Sequence, residues 1–365
     1  PALVLRLAGL LAAPVATTLL GRGVIPEDHE LALGCLGLYG TRAANSYMRS
    51  GLDVLLVIGS SLHEFTTHVW DPALQPTEGL IQIDIDPEEM GKNYPVDVVL
   101  LGDAEGVLQA LVETTERAKT GERHPADDFA ALKKETEYFS EPAMRSTAVP
   151  LKPQRVMAEL AEALPSDALV FTDIGNTVTW VERCLLVRRP DTTMSLSGLA
   201  AMGSGVAACI GGKLAQQARP TIAICGDGDF QMHGMEVMTA VSHDIPVVWL
   251  IVQNDRLAMV RDVQTMTYKS HYIASEFTCP DFVKMAESFG ALGLRAEKPG
   301  EVAEAVTAAF ASGRPAMVSA RIDPDEMPPA KARMMAMERA WGNPPVMQSL
   351  SMGALKALWS MLKER

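Results

Sequence analysis

Long apolar runs are missing from this 365-residue sequence, and so is any excess of positive charge. No run reaches the roughly 18–20 apolar residues that a membrane-spanning helix needs. Lys and Arg number 32 against 45 Asp and Glu, which gives a net charge of −13. This balance argues against general binding to nucleic acids or acidic membranes, although it leaves room for a local basic pocket. We expect neither a membrane nor a nucleic acid as partner.

Cysteine is also scarce. The five cysteines are scattered, odd in number and without the spacing of metal ligands: Cys35, Cys184, Cys209, Cys225 and Cys279. Such thiols are typical of buried side chains in a cytoplasmic protein. The first residues, PALVLRLAGLLAAP, lack the basic region of a signal peptide and predict an amphipathic helix instead.

The chain is too long for one hydrophobic core, and short apolar strands alternate with helical segments in two blocks. This alternation predicts an α/β fold with two doubly wound parallel-sheet domains. The first covers residues 1–118 and the second residues 154–325. Residues 119–153 form a connector with one helix, and residues 326–365 form a tail that closes with a short amphipathic helix.

Individual elements follow from local patterns. We expect strands at residues 52–59 and 79–86 and a helix at 104–118 in the first block. In the second block we expect a helix at 154–164, further helices from Gly203 and Met235, and strands that include residues 221–225 and 246–252.

Two polar residues follow two of these strands directly. Asp227 lies in Gly226-Asp227-Gly228, and Asn254 follows the strand at 246–252, 27 positions later. In an open parallel sheet both would reach the carboxyl edge, where ligands bind. Carboxylate and amide oxygens suit Mg²⁺, and the glycines allow close approach to a phosphate. Gly-Asp-Gly by itself is also a common sequence in turns that bind nothing.

The wider pattern resembles the thiamine-diphosphate-dependent enzymes of the acetohydroxyacid synthase (acetolactate synthase) and pyruvate oxidase branch. GDG, 25 residues and then Asn is similar to their cofactor motif. DIGNTVTW (173–180), GLAAMGSGVAACIGGKLA (198–215) and the block at 279–306 extend the resemblance. Residues 14–45 and 83–104 resemble the middle domain of the same enzymes.

The resemblance implies a metal site and a cofactor site. Asp227, Asn254 and the carbonyl of Arg256 would hold Mg²⁺, with the Arg256 side chain directed away. Met202 would wedge between the two rings of thiamine diphosphate, although packing at a helix start is the alternative. The implied cofactor contacts are Gly175, Asn176, Thr177, Ala200, Met202, Gly228, Asp229, Ala258 and Met259.

Three positions depart from the family pattern. Asp229 replaces a small residue beside the diphosphate, where a carboxylate repels phosphate unless it faces a cation or solvent. Ala258 replaces a glycine after the metal loop. Val263 replaces a tryptophan that acetohydroxyacid synthases use to select the larger acceptor. These changes leave the fold and cofactor prediction in place and put the substrate in doubt.

The family's first domain, which supplies the glutamate that activates the cofactor, has no counterpart in this sequence. Glu236 lies in a helix and does not match that residue, so we expect no catalytic residue within the chain. The resemblance also implies a homo-oligomer, dimer or tetramer, with the cofactor at the subunit interface.

The implied function is thiamine-diphosphate-dependent decarboxylation and carboligation of a 2-oxo acid. The alternatives are a non-oxidative 2-oxo acid decarboxylase, or a cofactor-binding fragment that is inactive without a partner domain. His63 and His68 lie where flavin enzymes of this branch touch FAD, but the Arg-Asp-Asp pattern of those enzymes is missing, so FAD lacks support. Asp84 and Asp86 suit either an adenosine ribose or a turn at a strand end.

Overall fold

The computed structural model describes residues 1–118 and 126–329. No helix among these residues is both long enough and apolar enough to pass through a lipid bilayer. The helix predicted near the carboxyl terminus lies outside the described residues.

The first block contains five strands in two parallel sheets. The strands are β1 Val15–Thr17, β2 Ala32–Cys35, β3 Val54–Ile58, β4 Gly79–Asp84 and β5 Val98–Leu101. β1 pairs with β2, and β4 lies between β3 and β5. The strands predicted at 52–59 and 79–86 are confirmed as β3 and β4.

Helices cover these sheets. They are α1 Ala2–Leu11, α2 Arg42–Met48, α3 Ala104–Ala118 and, in the connector, α4 Ala126–Glu135. α1 packs against α3, and Leu7, Leu108 and Val112 from these helices meet Ile83 of β4 in a buried cluster. The helices predicted at the first residues, at 104–118 and in the connector are thus confirmed.

The second block is built on one six-stranded parallel sheet. Its strands are β6 Leu169–Thr172, β7 Thr193–Ser195, β8 Thr221–Gly226, β9 Val248–Gln253, β10 Leu292–Ala296 and β11 Ala316–Arg321. The spatial order is β10-β11-β9-β8-β6-β7. Since β7 and β8 lie on opposite sides of β6, the strand order reverses between β6 and β8. Open α/β sheets bind ligands at such a switch point.

Helices lie on both faces of this sheet. They are α5 Pro153–Ala163, α6 Asn176–Cys184, α7 Ser204–Ala215, α8 Asp227–His233, α9 Val237–Ser242, α10 Ala258–Thr267, α11 Phe282–Phe289 and α12 Glu301–Ala311. Successive side chains of a strand point to opposite faces. On β8, Ile222 and Ile224 therefore enter one buried cluster, and Ala223 and Cys225 enter the other. The predicted class, α/β with parallel sheets, is confirmed.

One predicted boundary is wrong. The helix expected from Met235 begins already at Asp227 as α8, because the Asp229 carboxylate accepts a hydrogen bond from the Gly226 N–H at 2.9 Å and caps the first turn. Met235 instead lies in a single 3₁₀ turn before α9. The short strand β7 and the helices α6 and α10 were not anticipated from the local patterns.

Candidate active site

A cleft opens at the carboxyl ends of β6, β8 and β9, beside the switch point of the sheet. The loop after each of these strands contributes a wall, and β8 and β9 are parallel neighbours with Gly226 opposite Val252. Eleven of the twelve predicted site residues line this cleft: Gly175, Asn176, Thr177, Met202, Asp227, Gly228, Asp229, Asn254, Arg256, Ala258 and Met259.

Asp227 is the buried anchor of the cleft, with 1% of its surface exposed. Its Oδ2 accepts hydrogen bonds from the backbone N–H groups of Asn254 at 2.7 Å and Asp255 at 2.6 Å. Its Oδ1 accepts from the Gly228 N–H at 2.8 Å. Burial raises the pKa of Asp227, and these backbone donors oppose the shift because they stabilise the carboxylate. The side chain thereby ties the loop after β9 to the start of α8.

The groups around Asp227 suit a hard divalent cation. Carboxylate, amide and main-chain carbonyl oxygens from Asp227, Asn254 and Arg256 are the donors that Mg²⁺ prefers. Oδ1 of Asp227 has a single hydrogen-bond donor among the described residues, which leaves it acceptor capacity for a cation.

Two neighbours of Asp227 were missed at the sequence level. Ligand atoms of Asp227, Asp255 and Cys279 lie within 4.8 Å of one another. The Cys279 thiol donates to Asp227 Oδ2 at 3.4 Å, and Asp255 pairs with Arg321 at 2.7 Å. Cys279 is far from the motif in sequence, so only the fold brings it here.

Met202 and Gly228 face each other in the cleft. A Cβ placed on Gly228 would lie 3.2 Å from the Met202 Cε and 2.7 Å from the Leu257 Cδ2. An alanine here would force the ends of the Met202 and Leu257 side chains to shift from their places over the start of α8. Met202 lines the cleft, and its role between two cofactor rings stays a prediction.

The loop after β6 forms the opposite wall. Gly175 has φ of 75°, a left-handed conformation that favours glycine, and α6 begins at the next residue, Asn176. Backbone N–H groups at a helix start attract anions, as a diphosphate contact requires. The Asn176 Nδ2 donates to Asp262 Oδ2 at 2.7 Å and so links α6 to α10.

Asp229 does not present an ordinary carboxylate to the cleft. It is buried and accepts from the Gly226 N–H, as described above. Burial, with the nearby charge of Asp173, raises the pKa of Asp229 to about 8, and the Gly226 N–H opposes this rise. Burial thus favours the uncharged form of Asp229, which would repel phosphate less than a carboxylate does.

Asp173 was quoted within a motif but not predicted as a site residue. It directly follows β6, is 1% exposed and receives four backbone N–H bonds, from Ile174, Gly203, Gly205 and Val206. Its carboxylate thus caps α7 and fixes the turn that carries Met202. A buried acid directly after a strand was the signal that could have identified it.

The remaining candidates lie elsewhere. Ala200 belongs to the exposed loop before α7 and is not among the residues that line the cleft. Asp84 Oδ1 accepts from the Asp86 N–H and Asp86 Oδ1 from the Glu88 N–H, so both cap a turn after β4. His63 stacks on Phe65, and His68 bonds to Asn45; none of these contacts supports FAD.

Comparison with protein families gives two matches. Residues 2–111 match the family described as "Thiamine pyrophosphate enzyme, central domain". Residues 173–320 match "Thiamine pyrophosphate enzyme, C-terminal TPP binding domain". The second match contains most of the cleft.

Curated relatives agree with these matches. The chain is 36% identical over 335 residues to "Probable acetolactate synthase large subunit" of Methanocaldococcus jannaschii, covering 89% of this chain and 55% of that protein. It is 32% identical over 321 residues to "Acetolactate synthase" of Mycobacterium avium, covering 86% and 51%. It is 33% identical over 298 residues to "Acetolactate synthase large subunit" of Corynebacterium glutamicum, covering 80% and 47%. The chain spans about half the length of the curated relatives it matches.

Proposed function

We propose a function for this chain from one premise: it belongs to the thiamine pyrophosphate (thiamine diphosphate) enzyme family, in its acetolactate synthase branch. On this basis the chain binds Mg²⁺ and the diphosphate of the cofactor, as part of an enzyme that decarboxylates and condenses 2-oxo acids. One observation carries the proposal: eleven of twelve residues predicted from the sequence line a single cleft at the switch point of the sheet.

Each wall of the cleft has a proposed task. Asp227, Asn254 and the Arg256 carbonyl hold the cation. Gly175, Asn176, Thr177, Gly228, Ala258 and Met259 surround the diphosphate, and Met202 separates the two rings. When bound, thiamine diphosphate supplies a sink for the electron pair that is released with CO₂. The buried carboxylate of Asp227 would attract the cation more strongly than an exposed one, because the local dielectric constant is low.

The activity of the whole enzyme needs more than this cleft. We propose that the activating glutamate comes from a further domain or chain, and that the working form is a cytoplasmic dimer or tetramer with the cofactor at an interface. Leu199, 94% exposed in the loop before α7, is an apolar side chain that such a partner would cover.

Cofactor binding is the direct test of this proposal. Isothermal titration of the chain with thiamine diphosphate should show binding that requires Mg²⁺ and is abolished in Asp227→Ala, because the cation loses its carboxylate ligand. Glu287→Ala, which removes an exposed carboxylate from α11, is the matched control and should bind normally. Equal affinity in Asp227→Ala and the wild-type chain would contradict the metal assignment.

Product analysis separates the reaction types. With the glutamate-bearing domain added, pyruvate should yield acetolactate if the protein is a carboligase. Val263, in place of the tryptophan expected for acetohydroxyacid synthases, leaves the substrate open. The second candidate, a non-oxidative decarboxylase, would yield acetaldehyde instead. Cofactor binding without CO₂ release under these conditions would indicate a non-catalytic module.

A further inference from the structure

Arg256 takes part in two structures at once: the predicted metal loop and the segment that follows β11. Its backbone lies between β9 and α10, where it forms an antiparallel bridge with Glu276. The hydrogen bonds of this bridge run from the Leu257 N–H to the Ser275 carbonyl and from the Phe277 N–H to the Asp255 carbonyl. In such a pair the central residue directs its own N–H and carbonyl away from the bridge. The Arg256 carbonyl therefore faces the other side of the loop.

The side chain of Arg256 extends in a different direction and holds the chain after β11. Its guanidinium NH1 donates to the Pro324 carbonyl at 3.0 Å and to Asp325 Oδ1 at 2.7 Å. The side chain is only 18% exposed, whereas the Asp325 side chain is 77% exposed. The arginine is thus fixed in place, and its guanidinium holds the segment at 324–325.

The segment at 322–326 forms part of the cleft wall, through Ile322 and Glu326. A second set of contacts, from α5 and from the residue that precedes this helix, also holds the segment. Lys152 Nζ contacts Asp323 Oδ2 at 2.8 Å and Glu326 Oε2 at 2.7 Å, and Gln154 Nε2 donates to Glu326 Oε1 at 2.9 Å. The Lys152 anchor is independent of the metal loop, whereas the Arg256 anchor belongs to it.

The charges of this segment make its ion pair with Arg256 significant. The segment carries three carboxylates, Asp323, Asp325 and Glu326, and Glu326 lines the cleft that is proposed to receive a diphosphate. Lys152 neutralises two of them, and Arg256 pairs with Asp325. Without Arg256, the Asp325 carboxylate would lose this ion pair and add an uncompensated negative charge to a segment that forms part of the cleft wall.

We propose that Arg256 is a positioning residue that couples the metal site to the segment at 322–326: its carbonyl serves the cation while its guanidinium holds this segment as a wall of the cleft. The inference rests on the proposed function and deepens it, because it assigns a role to the side chain of a residue whose carbonyl alone was predicted to act. Coupling of this kind is reciprocal. Cation and cofactor binding must therefore stabilise the segment, and the clamp must strengthen binding.

Two measurements on the 365-residue chain test both directions. Hydrogen exchange of the peptide that contains residues 322–326 is followed with and without Mg²⁺ and thiamine diphosphate, and affinity is measured by titration. In the wild-type chain the ligands should slow exchange in this peptide. In Arg256→Ala the ligand-dependent slowing of exchange should be lost, and affinity should fall by at least about fivefold, the lower end of the range typical of site-to-site coupling.

Three further variants separate the clamp from general damage to the fold. Arg256→Lys keeps the charge without the forked geometry and should restore part of the affinity. Asp325→Asn weakens the clamp from an exposed position, so it tests the coupling even if Arg256→Ala does not fold, and it should reduce affinity and protection in the same direction. Arg295 lies on β10 and forms an exposed ion pair with Asp281. Arg295→Ala should change neither the hydrogen exchange nor the affinity.

The outcomes are distinguishable. If the wild-type chain binds Mg²⁺ and thiamine diphosphate while Arg256→Ala and Asp325→Asn keep its affinity and its ligand-dependent protection, the coupling is overturned and the proposed function stands. If the wild-type chain does not bind, the proposed function fails and the inference fails with it.

Discussion

Gly228 has little room around its α-carbon, and this limits what the start of α8 can be. The closest atoms to an added Cβ belong to Leu257 and Met202, which meet over this residue. Gly211, in the middle of α7, has open space around it by the same measure. A methyl group added at Gly228 would meet two side chains, whereas one added at Gly211 would meet open space.

We predict that Gly228→Ala weakens Mg²⁺-dependent binding of thiamine diphosphate, because the new methyl group must displace Met202 or Leu257. Titration calorimetry measures this loss. Gly211→Ala is the control and should keep the affinity while it raises stability by about 0.5–1 kcal/mol, since alanine favours an open helical position. Normal binding by Gly228→Ala would show that Met202 and Leu257 move without consequence for the cofactor.

At the level of elements, α7 is fixed by a strand end rather than by its own sequence. Its first residues receive no side-chain cap from the residue before the helix, Gly203. Asp173, at the end of β6, supplies the missing acceptors to the backbone N–H groups of Gly203, Gly205 and Val206. This contact joins the strand, the Met202 turn and the helix in one unit.

We predict that Asp173→Asn destabilises the protein by about 2–5 kcal/mol, because an amide offers one oxygen where two are used and directs its N–H₂ group at backbone donors. Asp281→Asn is the comparison. Asp281 caps α11 through Oδ1 alone, and Asn is an equally good cap, so its cost should stay within about 1 kcal/mol. Urea unfolding of both variants measures the difference; similar costs would contradict the role given to the second oxygen.

At the scale of the whole molecule, buried charges join the first block to the second. Arg22 pairs with Glu27, and its guanidinium also donates to the carbonyls of Val181 and Leu185, which lie in α6 and directly after it. Glu182 lies in the same interface, 2% exposed, and no donor among the described residues reaches its Oε1. Burial raises the pKa of Glu182 to about 7 from its ordinary 4.5, and the charge of Arg22 opposes the shift.

This raised pKa predicts a dependence of stability on pH. The folded protein holds the Glu182 proton more tightly than the unfolded chain, so the stabilising contribution is complete below about pH 4.5 and is lost as pH rises through about 7. Glu182→Gln, which keeps the neutral form, should therefore gain stability relative to the wild-type chain between pH 5 and 8, by up to about 3 kcal/mol.

Urea unfolding at pH 5, 6, 7 and 8 measures this gain. Glu162→Gln, at an exposed position of α5, is the control and should show a difference from the wild-type chain that does not change with pH. A constant difference for Glu182→Gln as well would mean that Glu182 is ionised throughout this range.

The sequence by itself determined the α/β class, the confirmed strands and helices described above, and most of the cleft. Alternating apolar segments predict parallel sheets, and the carboxyl ends of adjacent parallel strands meet at one edge. Asp227 and Asn254 could be paired on this ground before any coordinates, because each directly follows a strand.

The tertiary structure decided what depends on contacts between distant segments. Cys279 reaches Asp227, Asp173 reaches the turn at Met202, and Arg256 reaches Asp325, although none of these pairs is close in sequence. The behaviour of Asp229 was also set by its surroundings, since burial favours its uncharged form while the hydrogen bond from the Gly226 N–H favours the carboxylate. The local sequence pattern shows which residue types follow the predicted strands. Hydrogen-bond partners and desolvation, which determine the chemistry of a residue, arise only when the chain is packed.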